Sequence, residues 1–253
     1  MLDELLDDLR AEHDALLEIV RNADLGTPVA AEPWDVRDTA AHLMVGDAKG
    51  LMAATDPDAF HAELPQVIAD PEGFIASWLE AGQGLSKDEL LERWHDGFEA
   101  MVKAFAQLLP GSKVPWYGPP MSPLSFATAR LMEYWAHGQD VVDVLGITRE
   151  PTDRLKHIAH LGVRTRGFSY AVRGKQMAEG EVRVTLTAPD GSAWEWGSGD
   201  DAIEGTAEDF CLRVTQRRHR SDTGLQATGP LADDWLDNAQ CFAGPPTDGR
   251  LPA

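Results

Sequence analysis

Leu2, Leu5, Leu6, Leu9, Leu16, Leu17 and Val20 recur at three- and four-residue steps, the spacing of a helix with one buried face. The stretch from Gly26 to Pro33 ends it. A second helix follows, with Asp35 as its N-cap, Asp38 in its first turn, His42 along its length and Asp56-Pro57 at its far end. The next segment is rich in Pro, Asp and Gly. Two apolar stretches then read as helical, one around Phe74 to Leu79 and a stronger one from Leu90 to Leu109, with Trp94, Phe98, Met101 and Phe105 at helical steps. PGSKVPWYGPPMSP has too much Pro and Gly to be regular, and it leads into SFATARLMEYWAHGQDVVDVLG, a further helix closed by Gly146.

Beyond Pro151 the pattern changes. One more helical stretch, Arg154 to Tyr170, precedes EVRVTLTAPDGSAWEWGSG, whose alternation around a Pro-Asp-Gly turn predicts a β-hairpin. Val182, Val184 and Leu186 share one face, and Trp194 and Trp196 continue a face on the returning strand. The remainder reads as two helices with a short strand between them. The predicted fold is α+β: a four-helix bundle over residues 1–150, then a small α+β domain over residues 151–253.

Composition narrows the function. With 253 residues, 43% of them hydrophobic and 25% charged, the chain can bury a substantial core. Its 42 acidic against 22 basic residues give a net charge of -20, which repels nucleic-acid phosphates and anionic membrane surfaces and points to small-molecule partners. The amphipathic, acidic start resembles neither a signal peptide nor a membrane span, so a cytoplasmic location is expected. Two cysteines, Cys211 and Cys241, make no disulfide framework and no CxxC pair. Walker, dinucleotide-binding, Gly-x-Ser-x-Gly and His-Glu-x-x-His patterns do not occur in the chain.

Chemistry concentrates in MEYWAHGQDV. On a helix Glu133 and His137 lie about 40° apart, and Phe126, Ala129, Asp140, Val141 and Val144 fall on the same side. These apolar companions turn the pair inward, although Leu131, Trp135 and Val142 make the opposite side apolar too. A buried carboxylate needs an ion pair, hydrogen bonds or a metal. A Glu and a His one turn apart can reach one cation, with His42 as a further ligand beside Thr39, Gly46 and Ala53, small residues that leave open space by the imidazole. The spacing alone fits a salt bridge as well as a metal site. Asp140 reads either as a group that orients His137 or as a surface charge. His95 is unassigned, and His157 and His160 read as solvated residues on an amphipathic stretch.

WDVRDTAAHL followed far downstream by RLMEYWAHGQDV resembles the DinB-like metal-binding family, in particular its mycothiol-dependent maleylpyruvate isomerase branch. The resemblance covers essentially the whole chain and implies a DinB-like four-helix bundle whose small C-terminal domain completes the active-site cleft. It implies His42, Glu133 and His137 as ligands of a divalent metal, usually zinc, with mycothiol as the thiol cosubstrate. Three protein ligands on zinc would leave a fourth position open, the mark of a catalytic site. Arg217 in DFCLRVTQRRH, with Arg213 and Arg218 beside it, matches an arginine that binds the substrate carboxylate in that branch. The chain departs from the isomerase pattern over VTQRRHRSDTGLQATGPLADDWLDNAQCFAG, which puts maleylpyruvate itself in doubt as substrate. The expectation is a mycothiol-dependent isomerase or S-transferase acting on a small electrophile, as monomer or homodimer. Two other readings stand beside it: a metal-binding bundle without turnover, its shell closed by Asp140 or His95, and a metal-hydroxide hydrolase.

Overall fold

Two aspartate-proline junctions shape the first part of the chain. In the computed structural model, which describes residues 1–30, 33–244, 246–247 and 249–252, Asp56 and Asp70 each cap a helix that opens on proline. Their carboxylates accept hydrogen bonds from Ala59 N (3.0 Å) and Gly73 N (2.9 Å). Proline lacks only an N–H that the first helical turn leaves unused, so it starts a helix as readily as it stops one. The Pro- and Asp-rich segment after Asp56, to which the sequence reading gave no element, is therefore helical.

Two compact units make up the chain, Met1–Thr148 and Arg149–Ala253. The first contains α1 (Leu2–Asn22), α2 (Val36–Thr55), α3 (Pro57–Ala69), α4 (Pro71–Gln83), α5 (Lys87–Ala106) and α6 (Pro123–Leu145). The long helices α1, α2, α5 and α6 form the expected bundle, and α3 and α4 are additions to it. A reciprocal capping box starts α2: Asp38 N donates to the Asp35 carboxylate at 2.9 Å, and Asp35 N to that of Asp38 at 3.2 Å. Gly146, at φ 65°, ends α6 in the left-handed conformation.

From Arg130 to Val142, α6 is buried at every position except Glu133, which is partly exposed. Apolar residues on both of its sides have this cause: the helix is sheltered all round. Val144, predicted to share the inward face, is exposed near the helix end.

The second unit contains α7 (Leu155–Arg164), α8 (Arg166–Ala171), β1 (Val182–Thr187), β2 (Ala193–Trp196), β3 (Asp201–Thr206), α9 (Ala207–Val214), β4 (Gln226–Thr228) and α10 (Pro230–Asn238). The expected hairpin is β1–β2, antiparallel, with Val184 opposite Trp196 and Leu186 opposite Trp194. The sheet order is β2-β1-β3-β4, with β3 parallel to β1 and antiparallel to β4. Sequence reading misses β3 because DAIEGT buries the adjacent Ala202 and Ile203 and so lacks alternation. Its strand conformation comes from pairing on both sides. The helix predicted over Arg154 to Tyr170 is two helices that meet at Thr165. The architecture is α+β, and no described helix is long and apolar enough to cross a membrane.

Candidate metal centre

His42 from α2 and Glu133 and His137 from α6 converge. Glu133 Oε2 lies 3.4 Å from His137 Nε2 and 3.7 Å from His42 Nε2, and the two imidazole rings are 4.8 Å apart. One ligand atom from each residue lies within 4.8 Å of the others. A tetrahedral metal with bonds of about 2.1 Å separates its ligand atoms by roughly 3.4 Å, so the donor set fits a divalent ion. His42 Nδ1, the ring nitrogen other than the one nearest Glu133, is buried without a hydrogen-bond partner among the described residues.

Side-chain exposures of 15% for His42, 26% for Glu133 and 11% for His137 leave the carboxylate as the group that solvent reaches best. Burial pushes His42 down to about 4, so its imidazole is neutral near pH 7, the form that binds metals. Burial alone would raise the Glu133 carboxyl, but hydrogen bonding by His137 and His42 outweighs it and holds the group well below its ordinary value. Two tryptophans flank the rings. Trp34 lies 5.0 Å from His42 and 5.6 Å from His137, nearly parallel to the latter, and Trp78 lies 5.5 Å from His42.

A buried ion pair ties the two ligand-bearing helices together. Arg130, one turn before Glu133, donates from Nη2 (2.8 Å) and Nε (3.2 Å) to Asp47 Oδ1 on α2, and from Nη2 to the Leu43 carbonyl at 3.2 Å. Tyr134 donates its hydroxyl proton to Asp47 Oδ2 and accepts one from Trp94 Nε1 on α5 at 2.7 Å. Burial raises the Asp47 carboxyl, and the Arg130 guanidinium opposes that rise. The sequence reading did not single out Asp47, Arg130, Tyr134, Trp34 or Trp78. The available signal was Arg130 itself, a charge on a helix apolar on all sides, which required a buried carboxylate nearby. The small stripe on α2 is also not open space: a Cβ on Gly46 would lie 2.8 Å from Arg130 Nη1.

Asp140 is buried, with Oδ2 3.5 Å from His137 Nδ1, which sets aside its reading as a surface charge. His95 lies on α5 beside His13, 3.3 Å between ring nitrogens, and is not part of the His42 cluster. Arg217 lies three residues beyond the end of α9 and donates to the Thr215 carbonyl at 2.7 Å. Arg213 is buried and pins the end of α10 through the carbonyls of Leu236 (2.7 Å) and Asp237 (2.9 Å), a structural role. His160 is exposed and accepts from Trp196 Nε1 at 3.2 Å.

A helical bundle bearing a His-Glu-His cluster, followed by a small α+β unit, defines the class. The family description "Mycothiol maleylpyruvate isomerase N-terminal domain" matches residues 6–142, and the chain belongs to that family. Two uncharacterised Mycobacterium tuberculosis proteins, from strains CDC 1551 / Oshkosh and ATCC 25618 / H37Rv, are each 42% identical to it over 248 residues, covering 96% of this chain and 96% of theirs. The crystal structure of the mycothiol-dependent maleylpyruvate isomerase is similar in fold, with a TM-score of 0.57 at 15% identity, covering 92% of this chain and 96% of that one. A histidine-to-alanine mutant of the isomerase matches with a TM-score of 0.55.

Proposed function

We propose that this protein is a zinc-dependent thiol transferase or isomerase that uses mycothiol, or a thiol like it, on a small electrophilic molecule. The observation that supports this most is the convergence of His42, Glu133 and His137 from two helices held in register by the buried Arg130–Asp47 pair. In this reading the three side chains hold the metal, and a zinc ion so held would bind the thiol as a thiolate at its remaining position. Asp140 keeps the His137 ring oriented from behind. Trp34 and Trp78 restrict the approach to the imidazoles. Arg217 has the role of binding a substrate carboxylate, for which its planar, two-pronged guanidinium is suited. The protein acts in the cytoplasm, a reading supported by its having only two cysteines, both buried.

The test is spectroscopic. Cobalt-substituted protein titrated with mycothiol develops thiolate-to-metal absorbance, and His42→Ala abolishes it. Absence of any thiol-dependent band in wild-type protein that holds cobalt would refute the thiol reading. Turnover of test esters or amides without added thiol would favour the hydrolytic one.

A further inference from the structure

A second cluster of possible ligands lies across the bundle. His13 and Asp14 on α1 and His95 on α5 each offer one ligand atom, all within 4.8 Å of one another. His13 is fully buried, stacked on Phe98 with ring centroids 3.9 Å apart and planes 2° from parallel, which fixes the plane of its ring. The network around Tyr134 fixes its protons. The single Tyr134 hydroxyl proton goes to the Asp47 carboxylate, and the hydroxyl oxygen already accepts from Trp94. His13 Nδ1, 3.2 Å from that oxygen, is therefore the donor, and its proton is on Nδ1. Burial pushes His13 down to about 3, so the ring is neutral and Nε2 presents a bare lone pair.

That lone pair faces His95 Nδ1 at 3.3 Å. At zinc–nitrogen bonds of about 2.0–2.1 Å, such a separation subtends roughly 105–110°, close to the tetrahedral angle. With its proton on Nε2, His95 offers Nδ1 to the same cation as His13 Nε2, and its ring is exposed to solvent. His95 and Asp14 line a cavity of about 630 Å³ between α1 and α5, and the buried His13 ring reaches it only through His95. Asp14, Glu18, Asp88 and Glu92 line it against one opposing charge, Arg21, an electrostatic setting that favours cations.

We propose that His13 Nε2, His95 Nδ1 and the Asp14 carboxylate form a second divalent-cation site of zinc type, distinct from the His42 cluster. Without the cation, His95 Nδ1–H donates to His13 Nε2; the cation takes the place of that proton. Mixed imidazole and carboxylate donors suit zinc and its neighbours better than magnesium or calcium.

Calorimetric titration of chelator-stripped, full-length protein with Zn²⁺ tests this. The expected result is two equivalents in wild type and one in His95→Ala, a surface change that leaves the core intact. His61→Ala, which removes an exposed histidine from α3, keeps both. An equivalent count that His95→Ala does not change overturns the proposal, as does loss of an equivalent in His61→Ala, which would mark general surface binding. Loss of the other equivalent in His42→Ala reports on the first centre alone, so each site stands or falls separately.

Discussion

Asp140 and Asp47 show how two buried carboxylates in one bundle do different work. Asp140 faces the ring nitrogen of His137 at 3.5 Å, so Asp140→Asn is expected to weaken Zn²⁺ binding about 10- to 100-fold while the unfolding midpoint in urea stays nearly constant. Calorimetry on the stripped protein measures it, and unchanged affinity would assign Asp140 to the fold. Asp47 pairs with Arg130 away from solvent, and Asp47→Ala leaves a guanidinium buried without its counter-charge. The expected cost is about 3–5 kcal/mol in urea unfolding. At this scale the sequence made the Glu133–His137 pair legible, because the residue types and the four-residue step survive in any helix, while His42 joined it through the family resemblance. The Arg130–Asp47 pair, formed by residues 83 positions apart, was not legible from either local stretch.

Between helices, packing reverses what propensity alone predicts. Alanine ordinarily stabilises a helix interior by about 1 kcal/mol over glycine. At Gly46 the added methyl would sit 2.8 Å from the Arg130 guanidinium, so Gly46→Ala is expected to destabilise α2–α6 packing and lower the thermal midpoint. Asp35→Ala, which removes the α2 cap, is expected to cost about 1 kcal/mol by the same measurement. The amphipathic α1 and α5 and the β1–β2 hairpin were readable because local period and turn residues agree with the fold. The α3 helix was obscured by proline in a role that starts helices, and β3 by a strand identity that depends on its neighbours.

For the molecule as a whole, the two compact units predict departure from simple two-state unfolding. Zn²⁺ at one hundred times its dissociation constant is expected to stabilise by about 2.7 kcal/mol wherever it binds. Hydrogen exchange locates that gain: amides of α2 and α6 slow on metal addition and those of β1–β4 do not. Equal protection of both units would count against ligands confined to residues 1–148. The sequence by itself determined the fold class, the bundle helices and the Glu133–His137 step on one helix, because periodicity, capping and side-chain chemistry act over a few residues. Only the tertiary structure decided which charges pair in the interior, that α6 is sheltered on every side, and that His95 faces His13 rather than His42. Those outcomes depend on which distant side chains compete for the same buried space, and no local pattern records that competition.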